Sequence, residues 1–422
     1  MSRAFAPLRH RAFRLLAFGQ LTSNIGDLFY TVALPWYVLS HHGGALLLGA
    51  VLACYGVART GALLVGGALS DRLRPWTVMM GADAGRAAVS AALVVVVATR
   101  PPSLTLLAPI AVLLGVGGGL FMPGSMAIIP ALLPDDDLQA GNALSSGWTQ
   151  LATFVGPALG GVVVAAVGAA PAFAVDGATY VVSALTLLGV RLLGPIGHAS
   201  SARTGTSAAV ASDAPTLWQV IRAERVLRLI FAITLVANLS AGGESEVALP
   251  ALAHGRFHAG AGGYGLLVAA IGAGALVGTI LAGRAPSFRR PALIGSWGFF
   301  SQCLFTAFVP YLGGTVPAAA MLACFGLLNG FSNVLTITAF QRWAPPQMLG
   351  RLMGFLMLGS LGIFPVSVLL GGVIVRGLGA AVFFPLSAAS VAATVLAALS
   401  FRDWREFGAT AAEPAELAVA RS

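Results

Sequence analysis

The stretch from Leu104 to Pro130 reads LTLLAPIAVLLGVGGGLFMPGSMAIIP and contains no charged side chain. At about 1.5 Å per residue, a helix of this length is about 40 Å long, which exceeds the roughly 30 Å of hydrocarbon in a bilayer. Gly and Pro inside such a run are tolerated in membrane helices. The stretch therefore predicts a transmembrane α-helix.

The composition of the whole chain agrees with this prediction. Of the 422 residues, 57% are hydrophobic and 9% are charged, whereas about 25% are charged in soluble domains. The mean hydropathy is +0.87. A soluble globular protein is excluded, because it needs a polar surface. At about 35 residues per helix and loop, the length fits about twelve spans and leaves no room for an additional soluble domain.

Apolar runs broken at Gly, Pro and charged residues predict an all-α membrane protein with twelve transmembrane helices. The predicted spans are 13–39, 45–70, 76–99, 104–130, 139–167, 171–193, 226–252, 262–283, 291–311, 315–343, 348–375 and 379–401. A long Ser-, Thr-, Ala- and Gly-rich stretch divides them. The predicted parts are an N-terminal six-helix half at 1–193, a cytoplasmic linker at 194–225, a C-terminal six-helix half at 226–401 and a cytoplasmic tail at 402–422.

All 24 basic residues are arginines, and their positions predict the orientation. The termini and the even-numbered connections hold 19 of them, the odd-numbered connections hold 3, and Arg59 and Arg86 lie inside spans. Positive charge favours the cytoplasmic side of a membrane. We therefore expect a multi-pass protein of the cytoplasmic (inner) membrane with both termini in the cytoplasm. The same placement argues against nucleic-acid binding, because the arginines flank helices.

Short words recur along the chain at nearly one offset. VALP occurs at Val32–Pro35 and again at Val247–Pro250, and the Gly-Gly-Val word at Gly160 recurs at Gly371. The end of span two matches the end of span eight, where Gly67 corresponds to Gly283. The repeat predicts two pseudo-symmetric six-helix halves with a substrate site between them near mid-membrane.

The connection between spans two and three reads GALSDRLR over Gly67–Arg74. It resembles the signature loop of the major facilitator superfamily, although it departs from the family pattern after Leu73. The resemblance implies the major facilitator fold and a conformational gate in which Asp71 meets a helix N-terminus across the interface of the halves. The alternative is an aspartate that caps span three beside arginines that set the topology. The gate residues in this loop are Gly67, Asp71, Arg72 and Arg74.

Span five contains GPALGG at 156–161, which resembles the antiporter motif of exporters in the superfamily. Glycines give a helix a smooth face for tight packing, and proline bends it. The resemblance implies export, and plain helix packing is the alternative. The motif adds Gly156, Pro157, Gly160 and Gly161 to the predicted gate.

Further words resemble the third drug:proton antiporter group, which includes macrolide efflux proteins and the enterobactin exporter. They are GQL at 19–21, GD at 26–27, ALPW at 33–36, AD at 82–83, RA at 86–87, PALLP at 130–134, GNAL at 141–144 and VD at 175–176. This resemblance implies proton-coupled efflux, by alternating access, of a small amphipathic organic molecule such as a drug, an antibiotic or a siderophore-like metabolite. An uptake symporter or a lipid-handling permease of the same fold is the alternative.

Ionisable residues in the middle of a membrane are costly and mark functional sites. Asp27 and Arg59 lie about 21 Å and about 18 Å from the cytoplasmic ends of their predicted spans, so an Asp27–Arg59 pair is geometrically possible. Glu244 and Glu246 lie near or outside the midplane of span seven. Because a carboxyl group out of water holds its proton more strongly, we expect Asp27 with Glu244 or Glu246 to carry the proton, and Arg59 to control the charge of Asp27. The alternatives are a static pair and glutamates that reach the outer surface.

For other polar residues inside the spans we predict structural or substrate-binding roles. Asp83 and Arg86 are three residues apart on one helix, so we expect a structural pair, and we expect Asp176 to serve a helix start or an interface hydrogen bond. A few polar groups among apolar walls suit an amphipathic substrate. The predicted substrate-binding residues are Asn24, Phe29, Tyr30, Trp36, Gln150, Asn238, Asn329 and Asn333.

Several function classes are not expected. A chain without lysine has no Gly-x-x-x-x-Gly-Lys nucleotide loop, and its six histidines are dispersed, so we predict neither an enzyme nor a cofactor or metal site. A transporter fold that serves as a non-transporting sensor is a further alternative. The expected partners are a small-molecule substrate, protons and membrane lipid, and the expected state is a monomer.

Overall fold

The computed structural model describes residues 3–193, 222, 224–285, 288, 290–344 and 346–407. Within these residues the regular structure is helical, with no β-strand. Most of the predicted linker (194–225) and most of the predicted tail (402–422) lie outside the described residues, as do Arg203, Arg289 and Arg421.

Twelve long helices run through the described part of the chain, one for each predicted span. They are α1 (Arg11–Ser40), α2 (Gly44–Arg72), α3 (Pro75–Thr99), α4 (Leu104–Leu132), α5 (Asp135–Val167), α6 (Ala169–Leu193), α7 (Arg225–Gly255), α8 (Gly260–Arg284), α9 (Pro291–Phe308), α10 (Thr315–Trp343), α11 (Pro346–Leu378) and α12 (Ala380–Ser400). A 3-10 helix (Arg3–Arg9) precedes α1, and a short helix α13 (Arg402–Arg405) follows α12.

Eleven of these helices are long and apolar enough to cross a membrane. The twelfth, α1, has the length, at 30 residues, but lower hydropathy, because it carries Arg11, Arg14, Asp27 and several polar side chains. A helix of this kind is tolerated in a membrane when its polar residues face the interior of the bundle. The composition of α1 therefore already indicates that it lines a polar interior.

Some helices extend beyond the predicted apolar spans. α5 begins at Asp135, four residues before the predicted start, and its first turn contains Asp135, Asp136 and Asp137. Acidic side chains stabilise the first turn of a helix through the helix dipole. Hydropathy misses such turns, because they are polar and lie outside the hydrocarbon.

The buried apolar residues form one core that joins the two halves and two cores that do not. We call the end of the bundle where α1 begins and α12 ends the terminal side, and the opposite end the far side. The largest cluster contains residues of both halves near the far side, such as Val38, Leu48, Leu252 and Val375. Near the terminal side, one cluster holds residues 12–190 and another holds residues 226–407.

Glycine pairs bring the two halves together near the far side. A Cβ atom on Gly161 of α5 would lie 2.8 Å from the Cα of Gly265 on α8, and one on Gly49 of α2 would lie 3.1 Å from the Cα of Gly372 on α11. Only residues without a side chain allow backbones this close. The described residues therefore form a bundle whose halves are packed together at the far side and have separate cores at the terminal side.

Candidate functional site

A cavity of about 290 Å³ lies between the two halves. This volume is near the lower end of the range for ligand pockets, which begins at about 300 Å³. α1 to α6 and the C-terminal helices α7 and α11 all contribute to its wall. The polar and ionisable lining residues are Asn24, Asp27, Tyr30, Thr31, Tyr55, Arg59, Arg86, Thr149, Thr153, Tyr180 and Glu246.

Asp27 is the centre of a network on the N-terminal side of this central cavity. Its Oδ1 accepts a hydrogen bond of 2.5 Å from the hydroxyl of Tyr180 and lies 3.5 Å from Nη1 of Arg86. Arg86 also forms an ion pair with Asp83. The predicted Asp83–Arg86 contact therefore exists, but it belongs to a larger network that reaches the cavity through Asp27.

The guanidinium of Arg86 is held on several sides. Arg86 is 5% exposed and Asp83 is fully buried. The guanidinium carbon lies 4.3 Å from the centre of the Tyr180 ring and 4.8 Å from that of Phe121, and cations over aromatic faces are stabilised. Gly117 gives the side chain space, because a Cβ there would lie 2.5 Å from Cγ of Arg86. The packing fixes Arg86 as an internal counter-charge.

The predicted Asp27–Arg59 pair is wrong, because Asp27 pairs with Arg86 instead. No ion pair joins Asp27 to Arg59 among the described residues. Arg59 lines the same cavity and lies 5.9 Å from the centre of the Tyr55 ring. Residue counts estimate the depth of a side chain along its helix but not the direction in which it points, and several helices place a cation at this depth.

Glu244 and Glu246, the two candidates predicted to carry the proton with Asp27, face different cavities. Glu246 lines the central cavity, whereas Glu244 lines a second cavity of about 110 Å³ inside the C-terminal half. Successive residues of an α-helix are rotated by about 100°. The side chains of residues two apart therefore point in nearly opposite directions, which agrees with the placement of these two on opposite faces of α7.

A side chain from α11 contacts the backbone of α7 just before the two glutamates. The hydroxyl of Ser367 donates to the carbonyl of Leu239 over 2.6 Å and accepts from the backbone N–H of Gly243 over 2.8 Å. It thus bridges the two backbone groups that an α-helix pairs with each other. A π-helical turn, Glu244–Ala248, follows. Such turns are frequent at functional sites, and here the turn carries both glutamates.

We call the second cavity the C-half pocket. α7, α9, α10 and α12 form its wall. The Ser387 hydroxyl donates to Oε2 of Glu244 over 2.7 Å, and Nδ2 of Asn329 donates to Oε1 of Gln302 over 3.1 Å. Thr306 also lines the pocket, and its hydroxyl has no hydrogen-bond partner among the described residues.

The predicted substrate-binding residues do not all line one cavity. Asn24 and Tyr30 line the central cavity, and Asn329 lines the C-half pocket. Phe29 is buried against Gly160 of α5. Trp36 packs edge-on against His254, with ring centres 5.3 Å apart.

The remaining three predicted residues lie outside the described lining of both cavities. Asn238 donates a hydrogen bond to the carbonyl of Thr234, one turn earlier on α7. Gln150 and Asn333 are exposed at the surface of the chain. Asparagine and glutamine at suitable depth were therefore a weak guide to the cavity.

The glycine motif of α5 packs this helix against two neighbours. A Cβ on Gly156 would lie 2.6 Å from Cβ of Leu28, and one on Gly160 would lie 3.2 Å from Cα of Phe29, both on α1. Gly161 faces α8, as described above, and the carbonyl of Pro157 also approaches Gly265 on that helix. The motif thus connects the helix of Asp27 to the opposite half.

The predicted gate loop on the terminal side makes no such contact among the described residues. No atom of another helix lies within 4 Å of the position of a Cβ on Gly67, and Arg72 and Arg74 are exposed. The side chain of Asp71 lies outside the described part of the chain. The role predicted for this loop stays a prediction.

Three features of the central network were not predicted from the sequence. They are Tyr55, Tyr180 and the cavity-facing role of Arg86. Arg86 lies about three turns, or about 16 Å, into α3, which is a depth comparable with that of Asp27. Tyr180 follows Asp176 by four residues and so lies on the same helical face. These two signals were present in the sequence.

Comparison with known proteins agrees with this architecture. Residues 2–342 match the family model described as "Transmembrane secretion effector". The chain belongs to this family of the major facilitator superfamily. It is therefore a multi-pass membrane protein of a transporter family, as the resemblance implied.

The relatives of this family member include enterobactin exporters. The chain is 28% identical to enterobactin exporter EntS of Citrobacter koseri over 397 residues, which cover 90% of this chain and 88% of that protein. It is 28% identical to EntS of Salmonella typhimurium over 400 residues, with 90% and 89% covered. EntS of Escherichia coli O139:H28 is 26% identical over 351 residues, with 82% and 80% covered.

Solved transporter structures share the fold. A bacterial homologue of the iron transporter ferroportin, in its inward-facing state, matches with a TM-score of 0.65 and 18% identity over 94% of this chain and 98% of that chain. The nucleoside transporter NupG matches with a TM-score of 0.69 and 14% identity over 92% of this chain and 99% of that chain. The major facilitator fold, with two six-helix halves, is confirmed.

Proposed function

We propose that the protein exports a small amphipathic organic molecule across the cytoplasmic membrane in exchange for protons, by alternating access. The molecule would be a drug, an antibiotic or a siderophore-like metabolite. The observation that carries the proposal is the central cavity, in which Asp27 of one half and Glu246 of the other line one space. The relatives named as exporters support the direction of transport.

The packing of the halves supports alternating access. The arginine distribution predicts that the terminal side faces the cytoplasm. The separate apolar cores at the terminal side then correspond to a state that is open to the cytoplasm, and the joint core at the far side closes the outer end. Rocking of one half against the other about the cavity would exchange the two states.

Exchange requires that the proton and the substrate exclude each other. Glu246 accepts no hydrogen bond from the described residues, whereas Asp27 already has Tyr180 and Arg86 as partners. A carboxylate without a partner can accept a hydrogen bond or a positive charge from a substrate. Once protonated, it loses its negative charge and part of its capacity as an acceptor. In this scheme Glu246 binds either the proton or the substrate. The charge of Asp27 is coupled to the N-terminal helices through Tyr180 and Arg86.

Transport by inside-out membrane vesicles tests the proposal. Generating a proton gradient that is acidic inside the vesicle is expected to drive accumulation of a fluorescent amphipathic test substrate. Asp27→Asn is expected to abolish this accumulation while inserting normally into the membrane. Full accumulation by Asp27→Asn would refute the role of that carboxyl group. Proton-driven loss of substrate from the vesicles would instead support an uptake symporter.

A further inference from the structure

The C-half pocket occupies the place in its half that the Arg86 network occupies in the N-terminal half. Arg86 lies about three turns after Pro75, the first residue of α3, and Gln302 lies equally far after Pro291, the first residue of α9. The offset from Arg86 to Gln302 in the sequence is also the same as that from Gly67 to Gly283, which relates the ends of spans two and eight. Gln302 is therefore the repeat counterpart of Arg86.

A second pair of residues shows the same correspondence. Asp176 lies about two turns after Ala169, the first residue of α6, and Ser387 lies equally far after Ala380, the first residue of α12. Their offset in the sequence equals that of the two Gly-Gly-Val words. Ser387 contacts Glu244, which lies on α7, the counterpart of α1.

The charges of the two clusters differ. In the N-terminal half, the guanidinium of Arg86 compensates the carboxylates of Asp27 and Asp83. In the C-terminal half, the neutral amide of Gln302 takes that place, and Glu244 forms no ion pair with any described residue. An ionised carboxylate inside a membrane is costly without a positive partner. The pocket therefore lacks the cation that its counterpart carries as a side chain.

The lining of the pocket supplies oxygen atoms that suit a hard cation. Besides Glu244, the lining residues that carry side-chain oxygens include Thr306, Ser387 and Gln302. Thr306 is 3% exposed, and its hydroxyl has no partner among the described residues. A volume of about 110 Å³ exceeds the roughly 30 Å³ that one water occupies in the liquid. It can hold a small cation with a few waters.

We propose that the C-half pocket is a monovalent-cation site that binds sodium. Glu244 supplies the one negative charge, and Thr306, Gln302 and Ser387 supply neutral oxygens. A single carboxylate balances one positive charge, which favours a monovalent over a divalent ion. A proton alone would neutralise Glu244 but would leave the hydroxyl of Thr306 without a partner, whereas a sodium ion uses both. The site is separate from the central cavity and does not depend on proton exchange there.

Equilibrium binding of radioactive sodium to the purified full-length chain in nanodiscs tests the proposal. Choline chloride keeps the ionic strength constant, and a mildly alkaline buffer keeps protons from competing. We expect saturable binding of one ion per chain. Glu244→Gln is expected to weaken it by about a hundredfold or more, since it removes the charge. Ser301→Ala is the matched control, because the Ser301 hydroxyl lies outside the pocket lining and donates to the carbonyl of Trp297 on its own helix.

The outcomes separate this proposal from the proposed function, since binding is measured without transport. Ser387→Ala provides a second variant if Glu244→Gln does not fold, and we expect it to weaken sodium binding by about tenfold. Absence of saturable sodium binding to the folded wild-type chain would overturn the proposal. So would binding that survives Glu244→Gln, or that is lost in Glu246→Gln but not in Glu244→Gln. That last result would locate the ion in the central cavity.

Discussion

The two halves of the molecule differ in how a buried charge is balanced at equivalent positions. In the N-terminal half, Arg86 lies among Asp27, Asp83 and Tyr180, so acids and counter-charge are both part of the chain. In the C-terminal half, Gln302 stands where Arg86 would be, and Glu244 contacts a serine hydroxyl. The two halves thus carry a polar cluster at equivalent positions, but the side chains of the two clusters differ in charge. The difference indicates that one cluster is held by internal ion pairs and that the other has room for an ion from solution.

The two glutamates of α7 also lie in different cavities. Glu246 joins Asp27 in the central cavity, and Glu244 belongs to the C-half pocket. Both follow the point at which the Ser367 hydroxyl contacts the backbone of α7. Because one helical turn carries both side chains, a structural change at one cavity can be transmitted to the other through that single turn. Substitutions at equivalent positions of the two halves test this difference.

Arg86→Met should give the largest effect on stability. It leaves the fully buried Asp83 and the partly exposed Asp27 without their counter-charge, and breaking a buried pair such as Asp83–Arg86 costs about 3–5 kcal/mol. The matched Gln302→Met removes hydrogen bonds of neutral groups and should cost about 1 kcal/mol. Unfolding in mixed detergent micelles would measure both free energies. Equal losses for the two variants would contradict an electrostatic difference between the halves.

Glu246→Gln should abolish proton-driven transport, while Glu244→Gln should retain it. The first variant removes a carboxyl group of the central cavity, and under the proposed exchange we expect a loss of about a hundredfold, or about 2.7 kcal/mol of coupling. The second variant changes a carboxyl group in the other cavity. Vesicle transport with an imposed proton gradient would measure both. The reverse pattern would mean that the proton moves through the C-half pocket.

Gln302→Arg should convert the C-half pocket toward the chemistry of its counterpart. The new guanidinium would lie near Glu244 and supply the cation internally, so sodium affinity should fall by about tenfold or more. Gln302→Met is the control for loss of the amide without a new charge. If sodium binds equally well to the arginine variant, the ion does not use the charge of Glu244.

The helices were predictable from the sequence, because hydropathy and arginine placement report where a chain enters and leaves a membrane. Each predicted span has its helix, and the errors are at polar turns such as Asp135–Asp137. Depth was also predictable from residue counts, which placed Asp27 and Arg59 at a similar level. Their presence in one cavity agrees with that estimate.

The direction of each side chain was not predictable to the same degree. The partner of Asp27 depends on the rotation and contacts of α1, α3 and α6, so a count along the chain chose Arg59 instead of Arg86. The contact of Ser367 with the backbone of α7 joins distant segments and leaves no local signal. The opposite faces of Glu244 and Glu246 did leave one, since their spacing sets an angle of about 200°.

Thr306→Val should give the smallest effect and the one most specific for the C-half pocket. The hydroxyl of Thr306 is buried without a partner in the described structure, and an unsatisfied polar group costs about 1–3 kcal/mol. Without sodium, the valine variant should therefore be as stable as the wild type or more stable, by about 1 kcal/mol in the free energy of unfolding. With saturating sodium the order should reverse, because the wild-type hydroxyl then coordinates the ion. A ranking independent of sodium would show that Thr306 does not contact the cation, whereas a reversal ties this one oxygen atom to the site.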